Sequence, residues 1–523
     1  MQERLTISLF FGDHDSNVTV ASKSRVLLHL EAERVLGIKH VAATAEQMDE
    51  VVSAALGYLG ADQDAVDEVL IAKWISKYDL AHPITIGRRK FTPVITGHHL
   101  NHIGTALPSG FDQCLVLCAD GWSEDGATSM YLYDHGHLDR VAVLERTFLT
   151  GRVYGTATQM TVQPDFMTAD TSDTGKMMGL SAFGSHDAAL ASRIRADLDE
   201  FNRPHHEGVD HLRRRFGLSD IYSSMPDEQR RNFAATVQKE WEDELLEVAA
   251  RFRSLSSRLA VVGGCAMNVG ANGRLANSGL YRDIFIPAMP SDAGQSLGAV
   301  WHRYPGTVTA SPYLGRHHGI DATRTSVMSM VDDLAAGRVV AVYTGSSESG
   351  PRALGNRSIV AVPRNDDVRV RVSEEIKRRE SYRPIAPVVR AKDLKRFFDG
   401  SVMSPYMTYA YAAKAETMDR APAIVHADGT SRVQTVTFDQ HPFLYCVLTA
   451  LEERGEAPLL ANTSMNVAGS PMVDTPGEAR RFLDETAVDV LYLGDQRLVR
   501  PRPSEGRWKD KKSRRGDHPR RLF

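Results

Sequence analysis

The sequence predicts a duplicated α/β fold with a second α/β block behind it, and three segments carry that prediction. Residues 5–11 form an apolar strand that is followed at once by a polar turn and an alternating run. The same order returns across residues 114–133, and a third apolar run, 259–262, ends in the pair Gly263-Gly264. Strand-and-turn units repeated within one chain predict polar loops that converge on one cleft.

Periodicity places the remaining elements. Residues 48–59 carry apolar side chains at helical spacing, and residues 226–252 do so more clearly, at three- to four-residue steps. Residues 304–321 are rich in Gly, Pro, Ser and His and lack periodicity, which predicts a linker. In the second block we predict strands at 339–343, 359–362, 458–460 and 488–493, with a helix at 476–485.

Composition excludes several classes of protein. The 523 residues suffice for two to four domains of about 100–200 residues each. The hydrophobic fraction of 42% and the charged fraction of 24% exclude a disordered or fibrous chain. The net charge is −4, and residues 507–523 hold eight Lys or Arg but two acids, so the rest has 54 cations against 64 acids. An acidic body argues against nucleic acid as a partner.

The cysteines and the termini predict a soluble cytoplasmic protein. Four cysteines are too few and too scattered for a disulfide framework. Cys114 and Cys118 share one face of a strand, where buried core thiols are the expectation. The first residues lack the order of a signal peptide, and no segment stays apolar for 18 residues, so we expect no membrane association.

The sharpest local signal for chemistry is the histidine-rich segment 97–102. On a helix, His98 and His102 point the same way, which is the geometry that two imidazoles need to share a metal. Asp120 and Asp292 each end a strand-like segment beside Gly or Ser, where a carboxylate can face a cleft. Such ligands suit a divalent first-row metal with open positions. The alternative is a polar helix start with solvated histidines.

Polar turns near the strand ends offer weaker signals. The turn 13–16 follows the first strand, where backbone N–H groups can meet a phosphate, although the same residues are common turn formers. The pair Gly263-Gly264 permits close approach of a ligand, but lone glycine clusters are usually plain turns.

The second block holds a dense basic pattern. Arg352 and Arg357 stand five residues apart among turn formers, and residues 376–384 are too crowded with cations for one helix face. Guanidinium groups and lysines in loops are what binding of a triphosphate or an acyl phosphate requires. The alternative is a solvated basic face. Residues 462–466 follow the strand at 458–460 with hydroxyls and amides, or simply form a polar turn.

Taken together, these segments resemble the O-carbamoyltransferases of antibiotic and nodulation-factor biosynthesis. The resemblance runs nearly end to end, and many separate motifs in one order make it specific. The motifs are residues 12–16, 33–34 with 39–40, 98–102, 120–121, 175–180, 263–268, 291–294, 350–358, 376–384 and 462–466.

The resemblance implies both a fold and a reaction. The implied fold is an N-terminal domain of the actin-like ATPase superfamily (ASKHA), similar to the tRNA threonylcarbamoyl-transfer proteins, and a C-terminal YrdC-like α/β domain. The implied boundaries are 1–315, 316–505 and a basic, disordered tail at 506–523. The implied reaction forms carbamoyl adenylate from carbamoyl phosphate and ATP and passes the carbamoyl group to a hydroxyl of a small natural product.

The resemblance also assigns site residues, position by position. His14 and Lys39 are implied as catalytic groups, with His14 as a candidate proton acceptor and Lys39 opposite the charge on the carbonyl oxygen. His98, His102, Asp120 and Asp292 are implied as ligands of a divalent metal, with Fe(II) favoured and Mn(II) or Mg(II) as alternatives. The implied carbamoyl phosphate and ATP contacts are Arg352, Arg357, Lys377, Arg383, Asn462, Ser464, Asn466, Gly263, Gly264 and Asn268.

Some points stay open at this stage. Asp173-Thr174, Ser347-Glu348-Ser349 and Met465 depart from the family pattern, which leaves the acceptor unidentified. A tRNA-modifying enzyme of the threonylcarbamoyl type is one alternative, supported only by the basic tail. A non-catalytic nucleotide-binding regulator is another. The oligomeric state is open, with a homodimer as one alternative.

Overall fold

The computed structural model describes residues 3–72, 83–123, 125–162, 173–202, 209–218, 227–380 and 382–500. It has a mixed α/β fold built on three main sheets. Residues 5–303 form two of these sheets and are called the N-terminal lobe, and residues 324–499 form the third and are called the C-terminal lobe. The tail predicted to be disordered, 506–523, lies outside the described residues.

The first sheet has the strand order β3-β2-β1-β4-β7. Strands β1 to β3 are antiparallel neighbours, whereas β4 and β7 continue the sheet parallel to β1. All six residues of β1 are buried, as expected for the central strand. The bounds are β1 Leu5–Phe10, β2 Asn17–Ala21, β3 Val26–Glu31, β4 Val66–Ala72 and β7 Val94–Thr96, with a separate hairpin of β5 Ile84–Ile86 and β6 Arg89–Phe91.

The second sheet repeats the first, in the order β10-β9-β8-β11-β12. Its first three strands are antiparallel and its last two run parallel to β8, so both the order and the directions match those of the first sheet. This pattern is the duplication that the strand-and-turn units predicted. The bounds are β8 Gln113–Ala119, β9 Thr128–Asp134, β10 His137–Val143, β11 Arg258–Val262 and β12 Asp283–Phe285.

Helices cover these two sheets. The predicted helix at 226–252 is present from residue 228, and its apolar stripe, which includes Phe233 and Trp241, is buried core. The bounds are α1 Ala32–Leu36, α2 Ala45–Leu59, α3 His98–Gly104, α4 Gly151–Thr161, α5 Thr174–Ser181, α6 Ala188–Ala196, α7 Leu198–Phe201, α8 Val209–Phe216, α9 Glu228–Phe252, α10 Val269–Asn277 and α11 Gln295–Arg303. Short 3-10 helices at Gly264–Met267 and Asp292–Gly294 precede α10 and α11.

The third sheet has eight strands in the order β16-β17-β15-β18-β14-β13-β19-β20. Its strands are β13 Val340–Tyr343, β14 Arg357–Ala361, β15 Ala386–Arg390, β16 Tyr409–Ala412, β17 Thr430–Val436, β18 Leu459–Ser464, β19 Val490–Leu493 and β20 Gln496–Val499. Its helices are α12 Arg324–Ala335, α13 Asp366–Val370, α14 Leu394–Phe397, α15 Ala415–Arg420, α16 Pro442–Glu453 and α17 Pro476–Glu485, with a π-helix at Arg371–Ile376.

One expectation about a segment is corrected by the structure. β18 continues to Ser464, so Asn462 lies inside a central strand rather than in a turn after it, because residues 461–464 pair with β14. The predicted linker 304–321 is bound to both lobes. Leu314 accepts a hydrogen bond from the backbone of His29 at 2.8 Å, and Gly315 donates to Ser347 at 3.0 Å. The segment satisfies its backbone groups at the lobe interface instead of in water.

Two findings bear on membrane and redox chemistry. Across the ranges given above, no helix combines the length and the apolar character that a membrane crossing requires. Cys114, Cys118 and Cys265 are buried and carry free thiols, in agreement with the expectation of core cysteines.

Candidate active site

Helix α3 brings two imidazoles together with two carboxylates. The Nε2 atoms of His98 and His102 are 3.2 Å apart and lie 2.8 and 2.9 Å from Asp120 Oδ2. Both also lie near Asp292 Oδ1, at 3.5 and 3.4 Å. These four residues are called the imidazole–carboxylate cluster, and their ligand atoms lie within 4.8 Å of one another. The one-turn spacing on a helix produces this convergence.

Asp120 is held at the carboxyl end of β8 by backbone donors. Its Oδ1 atom accepts from the N–H groups of Gly121 at 2.8 Å and Gly264 at 3.3 Å, which leaves Oδ2 for the imidazoles. Gly263 has φ of 91°, and a Cβ there would lie 2.1 Å from the carbonyl oxygen of Ala119. Gly263 and Gly264 therefore let β11 approach β8 and support Asp120.

The expectation that Asp292 ends a strand is wrong: β12 ends at Phe285, and Asp292 begins the 3-10 helix Asp292–Gly294 after an intervening loop. Asn17 fixes the local backbone, because its side chain donates to the Asp292 carbonyl at 2.9 Å and accepts from Ser296 N–H at 3.1 Å. The Asp292 side chain is buried, and its Oδ1 atom faces the Nε2 atoms of His98 and His102 at 3.5 and 3.4 Å, which is longer than an ordinary charge-assisted hydrogen bond. A buried carboxylate oxygen in this state is costly unless a cation neutralises it.

The cluster fits a divalent metal ion. Ligands about 2.0–2.2 Å from a metal lie roughly 3.0–3.4 Å from each other, which agrees with the spacings of 2.8 to 3.5 Å here. Burial lowers the pKa of His102, but its hydrogen bonds to Asp120 and Asp292 outweigh burial and raise that pKa to about 9. The excess of negative charge that binds this proton would bind a cation equally well.

A second group of polar side chains borders the cluster. Asp15 lies between two imidazoles, at 3.0 Å from His14 Nδ1 and 2.7 Å from His40 Nδ1. Lys39 Nζ contacts both oxygens of Glu33, at 3.0 and 3.1 Å. His14 Nε2 faces the cluster and lies 3.8 Å from Asp292 Oδ2. Burial lowers the pKa of His14, but the hydrogen bond and charge of Asp15 and the other aspartates raise it to about 10.

The C-terminal lobe gathers cations instead. Lys377 is buried, and its Nζ contacts the Ser464 side chain at 3.1 Å and the Asn466 side chain at 2.6 Å, together with both backbone carbonyls. Three predicted residues therefore meet at one point. Burial, and after it the charges of nearby Arg379, Arg383 and Lys39, hold the pKa of Lys377 well below its usual range.

Arginines surround this lysine with few opposing charges. Burial is the largest cause that lowers the pKa values of Arg352, Arg379 and Arg432, and the charges of neighbouring guanidinium groups lower them further. The pKa of Arg432 falls to about 10. Buried Nε atoms of these three residues have no partner within the described residues. Sequence reasoning missed Arg432, because a lone arginine in a strand has no motif around it. The arginine cluster comprises Arg352, Lys377, Arg379, Arg383 and Arg432.

Three predicted contacts lie in other surroundings. Arg357 donates to the backbone carbonyls of Thr344, Asn356, Arg316 and Gly345, and its guanidinium stacks 3.7 Å from the ring centre of Tyr343. Asn268 caps α10 and bonds with Gln238. The Asn462 amide donates to Ala353 and Gln434, while its Oδ1 is buried without a partner in the described chain.

Buried ionic contacts join the two lobes beside both clusters. Arg34 bonds to Glu31 at 2.9 Å and reaches across to Ser347 Oγ at 2.6 Å, Gly350 O at 2.9 Å and the Glu348 carbonyl. Glu31 in turn accepts from the Gly350 N–H. Lys176 on α5 contacts Glu380 of the C-terminal lobe at 3.1 Å. The loop that carries Arg352 is thus fixed to α1, close to Lys39.

Comparisons with known proteins identify the family of the chain. The family model of the carbamoyltransferase N-terminus matches residues 80–301, and that of the carbamoyltransferase C-terminus matches 331–500. Nodulation protein NolO of Bradyrhizobium diazoefficiens is 31% identical over 442 residues, which cover 78% of this chain and 79% of that protein. A 3'-hydroxymethylcephem-O-carbamoyltransferase of Streptomyces clavuligerus is 30% identical over 62% of this chain and 64% of its own.

Among solved structures, full-length HypF in its phosphate- and nucleotide-bound form covers 58% of this chain and 56% of its own. It is 12% identical, with a TM-score of 0.33. The two matched halves and the long relative at 31% identity decide the assignment. The chain is a transferase and belongs to the carbamoyltransferase family.

Proposed function

We propose that the protein is an ATP-dependent O-carbamoyltransferase that uses carbamoyl phosphate and acts on a hydroxyl of a small natural product. The observation that carries this proposal is the pairing of two oppositely charged sites across the lobe interface. The imidazole–carboxylate cluster gathers ligand atoms that suit a cation, the arginine cluster gathers positive groups that suit an anion, and Lys39 lies close enough to Lys377 to lower its pKa. Two successive steps of one reaction would occupy such a pair.

The arginine cluster suits the adenylation step. In that step carbamoyl phosphate, ATP and one water give carbamoyl adenylate, pyrophosphate and phosphate. The guanidinium forks of Arg352, Arg383 and Arg432 would hold the phosphate oxygens, and Lys377 would contribute a point charge. Ser464 and Asn466 position that lysine through the bonds described above. We treat Arg357 as a support for this loop, because its Nη1 and Nη2 atoms already donate to four backbone carbonyl groups.

The imidazole–carboxylate cluster suits the transfer step. The acceptor oxygen forms a bond to the carbonyl carbon, the bond from that carbon to the adenylate oxygen breaks, and AMP leaves. A divalent metal held by His98, His102, Asp120 and Asp292 would polarise the carbonyl and favour ionisation of the acceptor hydroxyl. His14 Nε2 faces this point, and a cation at the cluster would offset the charges of Asp292 and Asp120 that help raise the His14 pKa, so that the imidazole would take the hydroxyl proton.

The proposal extends to fold family and domain boundaries. The two sheets of equal strand order support an actin-like domain over 1–315, and the eight-stranded sheet supports a YrdC-like domain over 316–505. The cofactors would be ATP as co-substrate and one divalent metal, with Fe(II) favoured over Mn(II) or Mg(II).

Incubation with carbamoyl phosphate and ATP tests this proposal. Release of pyrophosphate reports adenylation, and release of AMP reports transfer to an acceptor or to water. We expect both products only when carbamoyl phosphate and ATP are present together, and we expect chelation to suppress AMP release more than pyrophosphate release. Absence of pyrophosphate with the metal-loaded protein would rule the proposed donor chemistry out.

A panel of hydroxylated compounds then identifies the acceptor class. Amino sugars and a 3'-hydroxymethylcephem, the compound named for one relative, are suitable members. A true acceptor should raise the rate of AMP release and gain 43 mass units, roughly the mass of one carbamoyl group in place of hydrogen. Deoxy analogues that lack the hydroxyl are the matched controls.

A further inference from the structure

The segment between β1 and α2 contains an arrangement that the proposed mechanism does not use. Asp15 accepts hydrogen bonds from two imidazoles at once, with His40 Nδ1 at 2.7 Å from one oxygen and His14 Nδ1 at 3.0 Å from the other. Each carboxylate oxygen therefore serves one ring. His14 then points its other nitrogen, Nε2, at the imidazole–carboxylate cluster.

The backbone at both supporting residues is held in an unusual conformation. Asp15 has φ of 55° and His40 has φ of 50°, in the left-handed region that few residues other than glycine adopt. Such conformations persist where the surroundings enforce them, and they cluster at functional sites. Here the two residues face each other across one short hydrogen bond, although they are 25 positions apart in the sequence.

Further contacts fix the frame around the pair. Glu33 on α1 accepts from the backbone N–H of His40 at 3.0 Å, and the same carboxylate binds Lys39. On the other side, Asn17 donates to the Asp15 carbonyl at 2.7 Å and also to the Asp292 carbonyl. One asparagine therefore ties the turn of Asp15 to the backbone of a proposed metal ligand.

We propose that Asp15 and His40 are positioning residues for carbamoyl transfer, acting through His14. Asp15 fixes the rotation of the His14 ring and keeps hydrogen on Nδ1, so that Nε2 is directed at the reacting hydroxyl. His40 fixes Asp15 in turn. The pattern of an imidazole oriented by a buried carboxylate recurs wherever histidine acts as a base. This inference rests on the proposed function, since it assumes that His14 receives the proton.

Asp15→Asn tests the first link. Asparagine has the same shape and tolerates the left-handed backbone, but its NH₂ group opposes one of the two imidazole donors. We expect AMP release in single turnovers to fall by about 10²-fold or more, by analogy with misoriented imidazole bases. The rate of pyrophosphate release, the KM for carbamoyl phosphate and the uptake of Mn²⁺ should stay within about twofold of wild type.

His40 variants separate backbone conformation from hydrogen bonding. His40→Gly relieves the backbone but removes the donor, whereas His40→Asn keeps a donor near the place of Nδ1 and accepts the left-handed conformation. We expect slow AMP release in His40→Gly and at least a tenfold recovery in His40→Asn. Both variants should release pyrophosphate at the wild-type rate.

Several outcomes would overturn the inference. Equal losses of pyrophosphate and AMP release in Asp15→Asn would indicate a general structural role. Equal rates of AMP release in His40→Gly and His40→Asn would show that the donor does not matter. If the wild-type protein itself releases neither product, the proposed function is refuted instead. Should Asp15→Asn fail to fold, the His40 pair decides the matter by itself.

Discussion

The two lobes solve opposite electrostatic problems. In the N-terminal lobe two carboxylates lie against two imidazoles, and a buried oxygen of Asp292 lies 3.4 and 3.5 Å from the imidazole Nε2 atoms. In the C-terminal lobe half-buried guanidinium groups repel one another, and Glu380 is an acid beside them. Each cluster would be stabilised by a ligand of the opposite charge. The free protein therefore bears a stability cost at both sites, and the charge of each cluster indicates the sign of the ligand that it would bind.

Removal of the two histidines that we propose as metal ligands should have the largest effect on the N-terminal lobe. The double variant His98→Ala/His102→Ala removes both imidazoles of the imidazole–carboxylate cluster, and we expect it to lose divalent metal. Carbamoyl transfer should fall by about 10³-fold, since a metal contributes several kcal/mol to charge stabilisation. Metal analysis after dialysis and the rate of AMP release measure the two effects.

The same variant should leave the other lobe working. Pyrophosphate release should persist, because the arginine cluster lies in the C-terminal lobe. His137→Ala, at a highly exposed histidine, is the matched control and should bind metal normally. Full metal content and full transfer in the double variant would remove the imidazole–carboxylate cluster from the mechanism.

Two arginine variants compare a ligand-binding arginine with a structural arginine in the C-terminal lobe. Arg352→Met removes a cation that lacks a partner for its Nε, so we expect binding of carbamoyl phosphate or ATP to weaken by about 10–10²-fold. The melting temperature of the free protein should hold or rise, because a buried uncompensated charge is lost. Titration calorimetry and thermal unfolding give the two quantities.

Arg357→Met is the contrasting variant. Arg357 donates to four backbone carbonyls, and its removal would leave buried acceptors unpaired. We expect a lower melting temperature as its first effect. We expect Arg352 to bind a ligand and Arg357 to support the loop. An equal fall in melting temperature for the two variants would contradict this distinction.

A third prediction concerns the contact that joins the clusters. Arg34→Lys keeps the charge opposite Glu31 but cannot span Ser347 and Gly350 with one planar group. We expect about a tenfold fall in AMP release with a smaller fall in pyrophosphate release, because the loop before Arg352 would no longer be held in place against α1. Arg25→Lys, at an exposed position, is the control. Parallel losses in both rates would refute the coupling.

The sequence predicted the imidazole–carboxylate cluster more completely than the arginine cluster. His98 and His102 are one helical turn apart, and Asp120 ends a strand beside a glycine, so local rules bring three of the four residues to one edge. The repeated strand-and-turn units also predicted two sheets of one topology. Asp292 follows no strand directly, and its position depends on Asn17.

The remaining features depend on contacts that no local pattern encodes. Arg432 lies in β17 and reaches the cluster only because that strand pairs with β15. Arg34 meets its partners more than 300 residues along the chain. The helical period and turn chemistry act within a few residues, and so they predict elements and loop ends but not which loops meet across two lobes.

Proton uptake on anion binding is the smallest effect that we expect, and it tests the contrast in charge between the two lobes most specifically. Burial and the neighbouring cations hold the pKa of Lys377 well below 10.5 in the free protein, and a bound polyanion would raise it. Between the lowered and the ordinary pKa, the unfolded chain binds more protons than the folded one. Stability of the free protein from this group therefore rises with pH through that window and is lost as pH falls.

Binding has the opposite dependence on pH. We expect ATP or carbamoyl phosphate to take up part of one proton, so affinity should fall by at most about tenfold per pH unit as pH rises through the window. Calorimetry in buffers of different ionisation enthalpy measures the uptake directly. Lys377→Met should abolish it, whereas Lys395→Met, outside the cluster, should not. Binding without proton uptake would mean that Lys377 is already charged in the free protein, and the contrast between the lobes would then rest on the arginines alone.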